Sequence, residues 1–271
     1  MSSTQATQMT IEVASPRTQS RGSLVSDVVT VFSRELRPVL RDPFSVIFAM
    51  IQPLVFLGLF APLLPETTGG TADAALQWFV PGVVVMSCLF ATSMTGSSLL
   101  YEMQTGSHER MLVTPLRRPA LLVGRALKEI VPMLVQTAVI VAVMTPFGFE
   151  PHLAGVVSGL LLLTGMCVGL GALSYTLALA AKDKEWLFWA VQQTLIFPLL
   201  LLAGILLPVD DGPRWLQVAS GLNPLTYVVD AERALFAGDF SASALTGGVV
   251  AAVLVGAFGL LVGTRAMRHS S

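Results

Sequence analysis

The sequence has little charge and few residues of the kinds that usually bind metals. Only 12% of its 271 residues are Asp, Glu, Lys or Arg, and it contains two cysteines and three histidines. The charged share is about half that of an ordinary soluble domain. The histidines are scattered, and Cys88 and Cys167 fall in apolar stretches. A metal cluster is therefore not predicted, and packing is the simplest role for both thiols.

A phosphate-binding loop is also missing from the sequence. No Lys follows a Gly, so the pattern G-x-x-x-x-G-K-[ST] does not occur. No serine lies in the context of a nucleophile elbow, and no basic patch is interleaved with aromatic residues. We therefore expect that the chain is not an enzyme by itself, binds no cofactor and has no nucleic-acid partner.

Long apolar stretches are abundant. Hydrophobic residues make up 54% of the chain, and many lie in runs of about 20 residues, the length that crosses a hydrocarbon core of about 30 Å. The sequence therefore predicts an all-α integral membrane protein with six transmembrane helices. The predicted spans cover residues 44–64, 78–100, 130–149, 153–181, 187–207 and 243–263.

These six stretches contain no Asp, Glu, Lys, Arg or His. Carriers driven by protons or sodium ions generally place ionisable groups inside the bundle, so the sequence favours an energy source outside the bilayer and an uncharged or lipid-like cargo. Neutral polar residues remain to line a path through the membrane. The candidates are Gln52, Thr92, Gln136, Gln192 and Gln193.

The basic residues predict the orientation of the chain. Fourteen of the 16 Lys and Arg residues precede the first span, follow the last, or lie in alternate loops between spans, and the other loops hold only Arg214 and Arg233. Positive charge collects on the cytoplasmic side, so we expect a multi-pass protein of the cell membrane with both termini in the cytoplasm. Residues 1–23 lack the features of a signal peptide and are predicted to be a disordered cytoplasmic tail.

A basic amphipathic helix is predicted just before the first span. In residues 24–42, apolar positions repeat every three or four residues, and polar positions repeat at the same spacing on the other face. Such a helix is typical of the membrane interface, although a soluble helix packed on a partner stays open. The residues assigned to this interfacial helix are Arg34, Glu35, Arg37 and Arg41.

Residues 207–240, after the fifth predicted span, are too long for a simple turn and too apolar for bulk water. We expect a pair of short helices that dip into the outer leaflet, separated at Asn223-Pro224, with non-helical backbone shielded by the bundle. An exposed outer cap is the alternative interpretation.

Three stretches, taken in order, carry a resemblance to a known family. They are SRELRPVLRDPFSVIFAMIQPLVFLGLF (33–60), EMQTGSHERMLVTPLRRPALLVGRALKE (102–129) and LLAGILLPVDDGPRWLQVASGLNPLTYVVDAERALFAGD (201–239). The chain resembles the membrane subunits of type-2 ATP-binding-cassette exporters, in particular the daunorubicin-resistance-like branch. The resemblance covers residues from about 24 to 271.

This resemblance implies residues 24–271 as a transmembrane domain that works as a pair, each copy resting a cytoplasmic coupling helix on a separate nucleotide-binding subunit. A short coupling helix is expected over residues 102–113, with Gly106 near its start. A solvated face with no partner is the alternative for its charges. The positions matched to ATPase coupling are Glu102, Thr105, Gly106, Ser107, His108, Glu109, Arg110, Met111 and Leu112.

The resemblance further implies that two membrane subunits, identical or different, and two ATPase subunits export a hydrophobic or amphiphilic compound such as a drug, antibiotic or lipid-like molecule. ATP and Mg²⁺ would bind to the partner subunit. Export of a glycolipid or polysaccharide is one alternative, and a membrane sensor or scaffold without transport is another. A secondary carrier is disfavoured by the uncharged spans.

Overall fold

A computed structural model describes residues 24–63, 71–107, 118–209 and 212–269. Within these ranges every regular element is a helix, which confirms the all-α prediction. The α-helices are α1 (Leu24–Arg41), α2 (Pro43–Phe60), α3 (Ala72–Gln104), α4 (Arg118–Lys128), α5 (Ile130–Met144), α6 (Leu153–Ala180), α7 (Glu185–Leu202), α8 (Arg214–Leu222), α9 (Pro224–Phe236) and α10 (Ala242–His269). A 3₁₀ turn, Thr145–Phe147, follows α5.

Five helical stretches of the described chain are long and apolar enough to cross a membrane. They are Ala72–Gln104, Ala120–Phe147, Leu153–Ala180, Glu185–Leu202 and Ala242–Met267. Their number and hydropathy identify a multi-pass membrane protein. The predicted first span corresponds to α2, whose apolar part, Ile47–Phe60, is shorter than the other five, so the sixth crossing stays a prediction.

Helix α3 is longer than the predicted second span, residues 78–100. It has 33 residues and begins after Thr71, whose side chain caps the first turn by accepting a hydrogen bond from the backbone N–H of Ala74 at 3.3 Å. It ends at Thr105 and Gly106, where Gly106 adopts a left-handed φ of +67° that favours glycine. At a rise of about 1.5 Å per residue, α3 is about 50 Å long and exceeds the hydrocarbon core.

The core of the molecule surrounds α3, which packs against α2, α5, α6 and α9. Phe79, Val83 and Met86 on α3 are almost completely buried. The two cysteines are also buried in this core, with their sulfur atoms 3.0 Å apart. Both thiols therefore occupy packing positions of the kind that the sequence predicted.

Small residues bring α6 and α10 into direct backbone contact. A side chain at Gly259 on α10 would overlap with the backbone of Gly169 on α6. These positions belong to two of the glycine pairs spaced by four residues in the sequence, Gly165–Gly169 and Gly259–Gly263. The spacing lets the helix backbones approach closely.

The two ends of the bundle differ in charge. One end, here called the basic end, contains Arg125 and Lys128 of α4 beside the end of α3. There the Gln104 side-chain amide donates to a carboxylate oxygen of Glu185 at 2.9 Å. At the opposite end, the Gln77 amide donates to the backbone carbonyl of Glu150 at 3.0 Å. These bonds tie α3 to the start of α7 at the basic end and to the segment before α6 at the opposite end.

Candidate functional site

Five charged residues form a buried cluster at the basic end of the bundle. This ion-pair cluster consists of Glu35, Glu102, Arg125, Lys128 and Glu129. Arg125 pairs with Glu102 and lies 3.5 Å from Glu35, while Lys128 lies 3.8 Å from Glu35 and 3.7 Å from Glu129. The cluster joins α1, α3 and α4 through charges that lie far apart in the sequence.

The cluster exists because α1 lies closely against α4. A Cβ atom at Gly124 would be 2.8 Å from Val31, whose side chain is almost completely buried between the two helices. Glu35 lies one turn after Val31, and Arg125 directly follows Gly124. This close approach brings a carboxylate of α1 next to a guanidinium of α4.

The charges of the cluster are removed from water. Arg125 is 3% exposed, Glu129 is 4% exposed and Lys128 is 8% exposed. The Thr95 hydroxyl donates to Glu129 at 3.3 Å, and the Arg125 guanidinium lies 5.5 Å from the centre of the Tyr175 ring. A buried charge is costly unless it is paired, so each member depends on its partners and the cluster fixes the relative positions of its helices.

The structure covers only part of the predicted coupling helix. Residues 102–104 belong to the last turn of α3, so the predicted helix over residues 102–113 is wrong for the residues before Gly106. The helical hydrogen bonds of α3 continue to Thr105, and Gly106 then turns the chain before helical backbone resumes at Ser107. The other assigned positions, His108, Glu109, Arg110, Met111 and Leu112, lie outside the described residues.

The residues assigned to the interfacial helix separate into two groups. Arg34, Arg37 and Arg41 are exposed on α1. Glu35 is only 10% exposed because it faces α4 and joins the ion-pair cluster. The sequence placed all four in one functional group, whereas the structure gives Glu35 a different position.

The segment at the opposite end contains the predicted pair of short helices, α8 and α9. The break between them is confirmed at Asn223, whose side chain accepts from the backbone N–H of Leu225 at 3.1 Å and donates to the carbonyl of Leu199 at 2.8 Å. Left-handed glycines bound this segment, Gly204 with a φ of +66° and Gly238 with a φ of +82°. Residues 204–238 are here called the outer segment, after the side of the membrane that the sequence predicts for them. The outer segment is thus a separate unit inserted between α7 and α10.

Arg233 attaches the outer segment to the bundle. Its guanidinium donates to the carbonyls of Trp78 at 3.0 Å and Gly204 at 2.8 Å, and lies 3.9 Å from the centre of the Trp78 ring. It also lies 3.4 Å from Asp230. The positive charge of Arg233 is therefore engaged by α3, by the end of α7 and by its own helix.

Glu232, the neighbour of Arg233, is completely buried. Neither carboxyl oxygen has a hydrogen-bond partner among the described residues. The carboxyl group lies over Gly159 on α6, where any side chain would overlap with it. Burial raises the pKa of Glu232 to about 8, because an apolar environment disfavours the charged form.

The sequence analysis placed Glu232 within residues 207–240 but did not predict its burial. A signal was present in the spacing, since Val228, Glu232, Leu235 and Phe236 repeat every three or four residues. This is the apolar face of α9, and all four side chains are buried. A polar residue within such a face is a candidate for a functional site.

The five candidates for a path through the membrane do not converge. Thr92 and Gln192 line one cavity of about 430 Å³ between α3, α6 and α7. Gln136 is buried on α5, and its side-chain oxygen has no partner in the described chain. Gln52 and Gln193 are exposed on the surface of the bundle.

These features define the class of the protein. It is a multi-pass helical membrane protein with buried ion pairs at one end and an inserted pair of helices at the other. The chain belongs to the ABC-2 type transporter family, whose profile matches residues 26–237. The matched region includes the ion-pair cluster and ends at the last turn of the outer segment.

Named relatives are similar to the chain over most of its length. The daunorubicin resistance ABC transporter permease protein DrrB1 of Streptomyces coeruleorubidus is 26% identical over 221 residues, 81% of this chain and 78% of the relative. The putative transport permease ycf38 of Cyanophora paradoxa is 30% identical over 78% of this chain and 74% of the relative. The probable doxorubicin resistance ABC transporter permease protein DrrC of Mycobacterium tuberculosis is 25% identical over 80% of each chain.

Proposed function

We propose that this chain is the membrane subunit of an ATP-driven exporter, which moves a hydrophobic or amphiphilic compound out of the cell together with a separate ATPase subunit. Membership of the ABC-2 type transporter family supports this function. The names of two relatives, which refer to daunorubicin and doxorubicin resistance, support a drug, an antibiotic or a lipid-like molecule as the cargo.

The observation that carries this proposal is the ion-pair cluster. Glu102, at the end of α3, and Arg125, on α4, lie on the two sides of the loop that contains the predicted coupling positions. A force applied to this loop would be transmitted through the paired charges to α1 and to α3 at the centre of the bundle. Buried charge pairs suit this role because separating them is costly.

The proposed arrangement has six crossings, with α2 as the first, α1 in the membrane interface and the basic end in the cytoplasm. The distribution of Lys and Arg supports this orientation. The outer segment then lies on the external side of the cell membrane as a re-entrant unit. Its buried apolar side chains, among them Val228 and Phe236, support this placement.

ATP and Mg²⁺ are proposed to bind to the ATPase subunit, and this chain is proposed to bind neither. The assembly has two ATPase subunits and a homodimer or heterodimer of the membrane subunit. Five or six helices are few for a closed path, which favours a path between two copies. The cavity lined by Thr92 and Gln192 is a candidate part of that path.

Transport in reconstituted vesicles tests this function. The chain would be purified with its partner ATPase and placed in proteoliposomes that expose the ATPase, and uptake of a panel of amphiphilic drugs, lipids and glycolipids would be measured. We expect uptake that requires ATP, persists when an uncoupler collapses the proton gradient, and stops when the phosphate-loop lysine of the ATPase is replaced.

Two results would contradict the exporter function. Uptake that follows the proton gradient without ATP would identify a secondary carrier. A complex that assembles and hydrolyses ATP, yet moves no member of the panel, would favour the sensor or scaffold interpretation.

A further inference from the structure

Glu232 has no ion-pair or hydrogen-bond partner among the residues that the structure describes. It faces Gly159 on α6, and its neighbour Ala231 packs against Gly248 on α10. Burial is the cause of its raised pKa. A carboxyl group in such an environment is held in its neutral form.

Among the described residues, no cation on the helices packed against α9 forms an ion pair or hydrogen bond with Glu232. Arg214 lies on α8, and His152 precedes α6, where its ring accepts from the backbone N–H of Gly155 and its backbone N–H donates to the carbonyl of Phe236. The part of α10 before Arg265 has no titratable residue, and α6 carries only Cys167 and Tyr175. The titratable residues of α3 are Asp73, Cys88, Tyr101 and Glu102, and α7 carries only Glu185, at its far end. On α9 itself, the guanidinium of Arg233 is directed to Trp78, Gly204 and Asp230, and the other titratable side chains, Tyr227 and Asp230, are exposed at the surface.

An apolar groove lies directly beside this acid. It has a volume of about 620 Å³ and is formed by α6, α9 and α10. Its lining includes Ser158, which adjoins Gly159, and Leu235, which follows Glu232 by one turn. The Glu232 carboxyl group contacts Gly159 on the same part of α6, so movement of α9 away from α6 would bring this carboxyl group toward the groove.

We propose that Glu232 and the adjoining groove bind an amphiphilic cation, with the carboxylate facing the positive charge and the groove holding the apolar body. This inference rests on the proposed export function and specifies the class of cargo. It differs from the expectation of uncharged cargo, which was based on spans without ionisable residues. The intramembrane acid that marks a substrate path is supplied here by the outer segment.

Binding would replace the carboxyl proton of Glu232 with the positive charge of the ligand. Glu232 is protonated while α9 lies on α6, and its carboxyl proton leaves to solvent as the cation arrives. The site therefore needs no new oxidant, reductant or metal. The two glycine turns, Gly204 and Gly238, bound the unit that has to move.

The exchange predicts a specific pH dependence. Because the pKa of Glu232 is raised to about 8, the cation competes with the proton at every pH below that value. Affinity for a permanent cation should therefore rise between about pH 6 and about pH 8 and level off above the pKa. An uncharged compound of similar bulk should bind equally well throughout this range.

Equilibrium dialysis on the complex of this chain with its ATPase, in lipid nanodiscs, tests the proposal. The cationic probe is tetraphenylphosphonium and the neutral probe is triphenylphosphine oxide. We expect Glu232→Gln to lower the affinity for tetraphenylphosphonium by about tenfold, the loss expected for one charged contact. The variant should also remove the pH dependence and leave binding of the neutral probe unchanged.

Two further variants provide matched comparisons. Glu232→Asp retains the carboxylate and should retain most of the preference for the cation. Glu150→Gln removes an acid whose side chain is exposed at the same end of the bundle, and should leave the affinity for both probes near that of the wild-type chain.

Unchanged tetraphenylphosphonium binding in Glu232→Gln would overturn the proposal. Equal losses for the cation and the neutral probe would also overturn it, because they indicate a purely structural role. If the wild-type complex transports neutral amphiphiles with ATP but does not bind the cation, the cation site fails while the exporter function stands. If it transports neither class, the exporter function fails as well.

Discussion

At the basic end of the bundle, Glu129 is buried and Glu35 and Glu102 are partly buried, all beside Arg125 or Lys128. At the opposite end, Glu232 is completely buried over a glycine, with no hydrogen-bond partner in the described chain. Both arrangements remove carboxyl groups from water, but the free-energy cost of burying the charge is offset in different ways. Paired acids have nearby cations that offset part of this cost and hold the helices together. An unpaired acid becomes neutral, and its charge then depends on whether its surroundings stay closed.

This difference suggests separate roles for the two ends. The ion-pair cluster keeps α1, α3 and α4 in a fixed relation, as expected of a part that transmits force. Glu232 has a charge that can change when α9 moves, as expected of a part that binds and releases a ligand. Substitutions that remove pairs at one end and contacts at the other can test the distinction.

The largest effect is expected at Arg125. Arg125→Met removes the cation shared by Glu35 and Glu102 and leaves their carboxylates buried, which should lower the free energy of unfolding by about 3–5 kcal/mol. Thermal unfolding of the purified chain in detergent measures the loss. Arg37→Met, which removes an exposed cation of α1, is the control and should change stability by less than about 0.5 kcal/mol. Equal effects of the two variants would show that the cluster has no special structural role.

A smaller effect is expected where Glu232 meets α6. Gly159→Ala places a methyl group against the Glu232 carboxyl group and should destabilise the chain by about 1–3 kcal/mol through overpacking. Gly165→Ala is the matched control, because a side chain there meets open space on the same helix.

The double variant Gly159→Ala with Glu232→Ala isolates this contact. Removing the carboxyl group should relieve most of the loss caused by Gly159→Ala, and a thermodynamic cycle of the four chains measures the coupling. Additive effects of the two substitutions would show that Glu232 does not lie over Gly159.

The smallest effect concerns one hydrogen bond within the ion-pair cluster. Thr95→Val preserves the shape of the side chain but removes the hydroxyl that donates to Glu129 at 3.3 Å. A loss of about 0.5–1.5 kcal/mol is expected for one hydrogen bond, measured by the same unfolding assay. Ser158→Ala, whose hydroxyl donates only to a backbone carbonyl of its own helix, should cost less, and the reverse order would contradict the assignment.

Local patterns in the sequence were sufficient to predict most helices. Apolar runs placed the long helices from α3 onward, and Asn223-Pro224 located the break between α8 and α9, because each signal depends on residues close in the chain. The family resemblance added the position of the loop after α3. The length of α3 was underestimated because its polar ends extend beyond the apolar run.

The candidate sites were harder to predict because they depend on packing between distant segments. Glu35, Glu102 and Arg125 meet only when α1 lies on α4 and α3 ends beside both. Glu232 is buried only because Gly159 leaves room for its carboxyl group on a different helix. The neutral polar residues predicted to line a path have similar side chains, but they do not lie together in the structure. Gln52 and Gln193, for example, are exposed on the surface of the bundle.

The length of α3 has a mechanical consequence. One continuous helix carries Glu102, which pairs with Arg125, and Trp78, whose carbonyl accepts from Arg233. These two attachment points are 24 residues apart, about 36 Å along the axis. A helix of this kind acts as a lever, so that a tilt of about 5° at the basic end shifts the other attachment point by about 3 Å. That displacement is about the length of a hydrogen bond, so a small rotation of α3 at the basic end would be enough to break the hydrogen bond between Arg233 and the Trp78 carbonyl.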